Sequence, residues 1–197
     1  MRIGLSGAFS CGKTTVAKML AEKLKLPLIK EQVRELCKDS IFKVNRDMVD
    51  SVSLQVNILL NQYLVERKYK SFVSDRTCWD CLAYTWLLLF GGNYYALDQE
   101  EIDIREDLLE SCEAICCESN YDFVFYFPPI LPIKLDKFRL FSEWRRYLEA
   151  NTILSLLMGA TEKGYIKRLV ILPESAFIFN KPEITLEWIL RLVEKHG

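Results

Sequence analysis

The segment Gly7-Ala8-Phe9-Ser10-Cys11-Gly12-Lys13-Thr14 separates two stretches with different hydrophobic patterns. Before it, residues 1–6 are short and largely apolar, which is typical of a buried β-strand. After it, residues 14–26 place apolar side chains at helical spacing, at Val16, Ala17, Leu20, Ala21 and Leu24. The sequence therefore predicts a strand, a glycine-containing loop and a helix, in that order.

The loop fits the pattern of Gly, four residues and Gly-Lys-Ser/Thr that is typical of phosphate-binding P-loops. Gly7 and Gly12 permit conformations that a Cβ would hinder, so that backbone amides and the helix N-terminus can surround phosphate oxygens. Lys13 would reach the outer phosphates, and the Thr14 hydroxyl would bind Mg²⁺. We predict an ATP and Mg²⁺ site whose binding residues are Gly7, Ser10, Cys11, Gly12, Lys13, Thr14 and Thr15. The alternative is a glycine-rich turn beside a solvated lysine.

The composition of the 197 residues is that of a folded chain, since 50% are hydrophobic and 27% are charged. We expect one domain over residues 1–197. The 26 basic and 27 acidic side chains nearly cancel, so the net charge does not indicate a polyanionic partner. We expect no membrane segment, no secretory signal and, with seven cysteines, a reducing cytoplasm. A homodimer is a possible assembly.

Short apolar segments alternate with helical patterns along the whole chain. The further strands are predicted at 27–29, 71–74, 123–127 and 169–172, and the further helices at 47–69, 79–90, 99–117, 143–159 and 182–195. This order predicts an α/β, three-layer P-loop NTPase fold with a parallel five-stranded sheet and helices on both faces. In such sheets, ligands bind at the carboxyl ends of the strands.

Two carboxylates are predicted at that edge of the sheet. Asp75 follows the third strand, where it could hold Mg²⁺, and the adjacent Arg76 could bind phosphate oxygens. Glu31 follows the second strand and could accept a proton from an acceptor hydroxyl. The alternatives are a surface Asp-Arg pair that caps the next helix and a glutamate favoured by a helix dipole. Asp122 precedes the fourth strand and is expected at the opposite edge, in a structural role.

A basic segment follows the fourth strand. We predict that residues 128–146 form a lid whose arginines neutralise charge on a transferring phosphoryl group. Arg139, Arg145 and Arg146 are stronger candidates than Lys134 and Lys137 because a planar guanidinium matches phosphate geometry. A solvated basic face is the alternative.

These features together resemble the P-loop nucleoside and nucleotide kinases. Glu31 resembles the strand-two glutamate that serves as the base in deoxynucleoside kinases, and Asp75-Arg76-Thr77 is similar to their Asp/Glu-Arg-Ser motif. The resemblance implies catalytic roles for Lys13, Glu31, Asp75, Arg76, Arg139, Arg145 and Arg146, metal binding by Thr14 and Asp75, and acceptor binding by Glu31, Arg34, Gln55 and Arg76.

A narrower likeness is to compact bacterial and phage P-loop kinases with the motif Asp-Arg-x-x-x-Asp-x-x-Ala-Tyr, here residues 75–84. Residues 121–129 are also similar to that group, which includes nicotinamide-riboside kinase-like domains and phage kinases of 5-hydroxymethyluracil in DNA. The resemblance implies transfer of the γ-phosphoryl group of ATP to a nucleoside-type acceptor: a nucleoside, a nucleotide or a hydroxymethylated base in DNA.

Two other functions remain open from the sequence. The segment Asn180-Lys181-Pro182-Glu183 faintly resembles the guanine-binding Asn-Lys-x-Asp motif of GTPases, although no Asp-x-x-Gly motif accompanies it. A nucleotide-binding regulator without an acceptor is the second alternative. Cys78 and Cys81 have the Cys-x-x-Cys spacing of metal sites, but buried apolar roles are expected for most of the cysteines.

Overall fold

A computed structural model describes residues 1–33, 52–91, 97–130, 143–178 and 180–196. Its strands are β1 (Arg2–Ser6), β2 (Leu28–Ile29), β3 (Phe72–Asp75), β4 (Phe123–Tyr126) and β5 (Leu169–Ile171). Its helices are α1 (Lys13–Leu24), α2 (Val52–Glu66), α3 (Cys78–Phe90), α4 (Gln99–Cys117), α5 (Glu143–Glu162) and α6 (Pro182–His196), with a 3₁₀ turn at Glu174–Ala176. The order of strand, loop and helix that the P-loop segment predicts is confirmed.

The five strands form one parallel sheet in the order β2-β3-β1-β4-β5. The central strand β1 pairs Leu5 with Asp75 of β3 on one side and with Phe125 of β4 on the other. All five carboxyl ends therefore lie at one edge, where the loop after β1 meets the end of β3. The predicted α/β fold with a parallel five-stranded sheet is confirmed.

Side chains alternate between the two faces of the sheet and build two hydrophobic cores. Val124 and Tyr126 pack in the core that contains residues of α2, α3, α4 and α5. Phe123 and Phe125 pack in the core that contains residues of α1 and α6. This alternation is the period of two that β-strands impose, and it places helices on both faces as predicted.

Some element boundaries differ from the predicted ones. β3 ends on Asp75 itself because the backbone pairing with β1 extends to that residue. α5 continues beyond Gly159 because Ala160, in the same helix, is buried in the core. That residues 1–197 form one domain stays a prediction.

The expected role of most cysteines as buried apolar residues is supported. Cys78, Cys81, Cys112 and Cys116 lie in one core, where burial raises the pKa of each thiol. Thiols with raised pKa values are weak nucleophiles at neutral pH.

Asp122 lies at the edge of the sheet away from the P-loop, as predicted. Its carboxylate accepts a hydrogen bond of 2.8 Å from the Arg2 amide and pairs with Lys167 at 2.6 Å. It therefore ties the starts of β1 and β4 together. None of the helices within the described ranges is long and apolar enough to cross a bilayer.

Candidate functional site

The P-loop, residues 7–14, runs between β1 and α1. Gly7 has φ +134°, and a Cβ there would lie 2.4 Å from the carbonyl oxygen of Phe127. Gly12 has φ +84° and is the residue that directly precedes α1. Both glycines are therefore required by the backbone, one by a close approach and a positive φ, the other by a positive φ alone.

Lys13 begins α1 and turns its amine back over the loop. Its Nζ donates hydrogen bonds to the carbonyl oxygens of Gly7 at 2.7 Å and Ala8 at 2.6 Å. Burial, and then the charge of Arg76, lower the pKa of this amine. The amine is held within the loop by polar partners that a phosphate oxygen could replace.

A cavity of about 130 Å³ opens between the P-loop and the ends of β2 and β3. It brings together residues that are distant in sequence. Its lining residues are Phe9, Ser10, Cys11, Gly12, Lys13, Thr14, Thr15, Glu31, Asp75 and Arg76. Every one of these except Phe9 is a predicted site residue, and Gly7 contacts the site through its bond to Lys13.

Asp75 and Thr14 offer oxygen atoms at one wall of this cavity. Asp75 is the last residue of β3 and is buried, and burial raises its pKa although a hydrogen bond with Thr14 opposes the shift. Within the described ranges, no three His, Cys, Asp or Glu side chains form a metal cluster. Mg²⁺ usually binds one or two protein oxygens together with substrate phosphates, so this hydroxyl and carboxylate fit Mg²⁺.

Glu31 and Arg76 form a buried ion pair beside Asp75. The Nε of Arg76 donates to Oε1 of Glu31 at 2.7 Å, and both side chains are less than a tenth exposed. Burial disfavours the charged form of Arg76, but neighbouring Tyr84, Glu31 and Asp80 outweigh it and raise its pKa further. The guanidinium lies 5.0 Å from the centre of the Tyr84 ring. Because Asp75 and Arg76 are buried here, the alternative of a surface pair is wrong.

The two described arginines of the predicted lid occupy different positions. Arg146 is buried, and its Nη2 lies 3.4 Å from the carbonyl oxygen of Ser10 in the P-loop. Arg145 pairs with Glu149 at 3.3 Å, and Glu149 in turn accepts a hydrogen bond from the Tyr84 hydroxyl at 2.9 Å. Arg146 is thus next to the cavity, whereas Arg145 reaches it through Glu149, Tyr84 and Arg76.

One further predicted residue is described away from the cavity lining, and the others fall outside the described residues. Gln55 is buried on α2, but it is not one of the described residues that line the cavity. Arg34 and Arg139 lie outside the described residues, as do Lys134 and Lys137. Their roles stay predictions.

Asp80 is the second aspartate of the motif at residues 75–84, and the sequence predictions gave it no role in the site. Its Oδ1 accepts a hydrogen bond of 3.0 Å from the Gly7 amide, and its Oδ2 accepts from the Thr77 amide at 2.8 Å. With Thr77 it forms the capping box of α3. The spacing Thr77-x-x-Asp80 is a recognisable capping signal, but nothing in it indicates the contact with Gly7.

The guanine-binding likeness has a structural explanation. Pro182 is the first residue of α6, a position where proline is favoured because the helix leaves that amide unpaired. Asn180 precedes it with φ +60°. Asparagine and proline are typical of such a turn into a helix.

A family model described as an AAA domain matches residues 2–167. The chain belongs to this AAA domain family. No curated protein sequence matches the chain.

Solved structures with the same fold as this AAA domain include a deoxyadenosine kinase and the NadR protein. Deoxyadenosine kinase from M. mycoides, with its products dCMP and dCDP, is 13% identical over 99% of this chain and 100% of that one, with a TM-score of 0.65. The same enzyme with bound dATP is 15% identical over 98% of this chain and 100% of that one, with a TM-score of 0.65. The NadR protein in complex with NR is 19% identical over 98% of this chain and 50% of that one, with a TM-score of 0.63.

The chain thus spans about half the length of NadR and the whole of the deoxyadenosine kinase. At these identities the similarity is one of fold. The resemblance to P-loop kinases is confirmed at the level of the fold, and catalysis by this chain stays a prediction.

Proposed function

We propose that the chain is a kinase that transfers the γ-phosphoryl group of ATP to a nucleoside-type acceptor. The observation that carries this proposal is the cavity in which Lys13 and Thr14 face Asp75 and the Glu31–Arg76 pair. The deoxyadenosine kinase of the same fold supports the proposal, since it is solved with dATP and with nucleotide products.

The P-loop would bind the triphosphate. Its amides and the N-terminus of α1 surround the phosphates, and the Lys13 amine exchanges its carbonyl partners for phosphate oxygens. Thr14 and Asp75 would hold Mg²⁺, which neutralises phosphate charge when bound. Asp75 would act as a ligand in its ionised form, which the hydrogen bond with Thr14 favours although burial raises its pKa.

Glu31 would accept the proton of the acceptor hydroxyl as the new bond to phosphorus forms. Its carboxylate is oriented by Arg76 Nε. Protonation of Glu31 weakens its attraction for Arg76, so the guanidinium charge becomes available to the transferring phosphoryl group. The same ion pair thus serves proton transfer and charge neutralisation.

The buried Glu31 favours a hydroxyl acceptor over a phosphate acceptor. Asp75 would hold Mg²⁺ in this proposal, which leaves Glu31, oriented by Arg76, as the carboxylate that can accept a proton. A hydroxyl needs such a base when it attacks phosphorus, whereas an ionised phosphate does not. A nucleoside hydroxyl or a hydroxymethyl group on a DNA base meets this requirement.

Further assignments rest on the same proposal. Arg146 would steady the outer phosphates, because it already contacts the P-loop at Ser10. Arg139 and Arg145 as lid arginines over residues 128–146, and Gln55 and Arg34 as acceptor-binding residues, are proposals of the same kind. A homodimer and a cytoplasmic location are proposed as well.

The test is to incubate the protein with γ-labelled ATP, Mg²⁺ and a panel of acceptors. The panel contains nucleosides, nucleotides, nicotinamide riboside and DNA with 5-hydroxymethyluracil. We expect label on one hydroxyl-bearing class and none with Asp75→Asn. Release of phosphate without transfer, with GTP preferred over ATP, would indicate a GTPase. ATP binding without turnover on any acceptor would indicate a regulator.

A further inference from the structure

Asp80 is a carboxylate that is fully withdrawn from solvent in the first turn of α3. Burial of a charged carboxylate is unfavourable unless several donors satisfy it. Its two carboxylate oxygens accept hydrogen bonds from different residues. Oδ2 accepts from the amide and the hydroxyl of Thr77 at 2.8 and 2.6 Å, while Oδ1 accepts from the Gly7 amide at 3.0 Å.

The Oδ1 contact fixes Gly7, the first residue of the P-loop. Gly7 needs its positive φ to pass the Phe127 carbonyl, and its own carbonyl accepts a hydrogen bond from Lys13. A bond at the Gly7 amide therefore orients the peptide groups that present Lys13 and the following amides. It joins residues 73 positions apart in sequence.

The Oδ2 contacts fix the turn that presents Arg76. Arg76 has φ +121°, a conformation that non-glycine residues avoid unless their surroundings impose it. Gln62 Nε2 donates to the Arg76 carbonyl at 3.3 Å, and Asp80 holds the next amide, that of Thr77. Arg76 Nη1 also lies 3.9 Å from Asp80 Oδ1.

Capping of α3 requires only the Oδ2 contacts, so the Oδ1 contact with Gly7 calls for a separate explanation. We propose that Asp80 is a positioning residue. It holds Gly7, the first residue of the P-loop, in a fixed position relative to the turn at Arg76, and ATP binding depends on it. Asp80 does not line the cavity and would act through Gly7 and Arg76. The inference rests on the proposed function, because it concerns the same phosphate site.

The test compares Asp80→Asn with Thr77→Val as its matched control. The new amide has one acceptor oxygen, so in either orientation its NH₂ group faces the amide of Gly7 or of Thr77. Thr77→Val removes the hydroxyl contacts of the capping box and leaves the Gly7 contact in place. Both variants weaken the cap, but only the first disturbs the P-loop.

ATP affinity is measured by calorimetry and the melting temperature by calorimetric scanning. We expect about tenfold or greater weakening of ATP binding in Asp80→Asn, and wild-type affinity in Thr77→Val at a comparable melting temperature. Equal affinity in the two variants would overturn the proposal. Should Asp80→Asn not fold, Asp80→Glu, which keeps both acceptor oxygens but displaces them, is compared in the same way.

A measurement on the wild-type protein is independent of folding of the variants. In a hydrogen–deuterium exchange measurement, the Gly7 amide should exchange slowly with solvent because it is bonded to Asp80. Rapid exchange of this amide would overturn the proposal. ATP binding requires no acceptor, so the two proposals fail separately. Wild-type protein that binds ATP but transfers no phosphoryl group contradicts the kinase alone, and unchanged ATP affinity in a folded Asp80→Asn contradicts the positioning role alone.

Discussion

Lys13 shows how one residue can be kept ready for a ligand inside a protein. Its amine is buried, which lowers its pKa, yet two carbonyl oxygens of the P-loop accept its hydrogen bonds. Within the part of the chain that the structure describes, those bonds satisfy the amine and no carboxylate pairs with it. A phosphate oxygen can therefore replace a neutral partner and need not break a strong ion pair.

We predict that Lys13→Ala reduces turnover by about 100-fold or more, because a donor aimed at developing phosphate charge is lost. The melting temperature should stay near that of the wild type, since the hydrogen bonds of this amine to described residues are all to its own loop. The measurement is the steady-state rate on the acceptor found in the panel. Lys18→Ala, an exposed substitution on the same helix, is the control and should leave the rate unchanged. Wild-type turnover in Lys13→Ala would remove the role assigned to this amine.

Glu31→Gln tests the proposed base. The amide keeps an oxygen for Arg76 Nε but cannot accept the acceptor's proton, so we expect kcat to fall by about 100-fold or more with a small change in KM for ATP. Glu113→Gln, which removes half of an ion pair with Lys163 far from the cavity, is the control. A small loss of kcat in Glu31→Gln would indicate that the acceptor is a phosphate, which needs no strong base.

At the scale of elements, two helices begin at N-cap residues that can be recognised in the sequence. Asp98 precedes α4, and its Oδ1 accepts a hydrogen bond from the Glu101 amide at 2.9 Å. Thr77 and Asp80 perform the same task for α3. The Asp98 cap is local and exposed, whereas the cap of α3 is joined to the P-loop through Asp80.

Asp98→Ala should lower the free energy of unfolding by about 1 kcal/mol, because the Glu101 amide loses its partner. In a chain of this size that corresponds to a melting temperature lower by about 2–4 °C. Asp98→Asn retains an acceptor oxygen and should lie close to the wild type. ATP affinity should be the same in all three proteins. A loss of affinity in Asp98→Ala would show that α4 is coupled to the phosphate site.

Local patterns explain why much of the fold could be predicted from the sequence. The P-loop spacing, the strand-ending Asp75 and the cap at Asp98 each depend on neighbours within a few residues. The contact from Asp80 to Gly7 and the chain from Arg145 through Glu149 to Tyr84 depend on how α3 packs against the loop and α5. No periodicity records such packing, so these contacts could not be predicted from the sequence, although it does place Asp80 and Tyr84 in the motif at residues 75–84.

At the scale of the whole molecule, a buried polar network joins elements from three parts of the chain. Glu66, at the end of α2, accepts hydrogen bonds from Gln62 at 2.7 Å and from the Tyr121 hydroxyl at 2.7 Å. Tyr121 precedes β4 and accepts a hydrogen bond from the Cys78 amide at the start of α3. Gln62 also reaches Ser74 of β3 at 2.8 Å. The network therefore fixes α2 and α3 against the sheet.

The charge state of this network depends on pH through Glu66. Burial raises the pKa of Glu66 from 4.5 to about 6, although the bonds from Gln62 and Tyr121 and the charge of Arg2 oppose the shift. The folded state therefore holds this proton more tightly than the unfolded state. The resulting stabilisation is complete below pH 4.5 and is lost as the pH rises to about 6. Its size is about 2 kcal/mol.

Glu66→Gln should abolish this part of the pH dependence, because the amide is neutral throughout and keeps an oxygen for Gln62 and Tyr121. The measurement is the free energy of unfolding by urea at several pH values on either side of this window. Relative to the wild type, the variant should gain about 2 kcal/mol between the acidic and the neutral end. Glu110→Gln, an exposed carboxylate on α4, serves as the control and should follow the wild-type profile. A difference between Glu66→Gln and wild type that stays constant with pH would mean that Glu66 titrates normally in the folded protein.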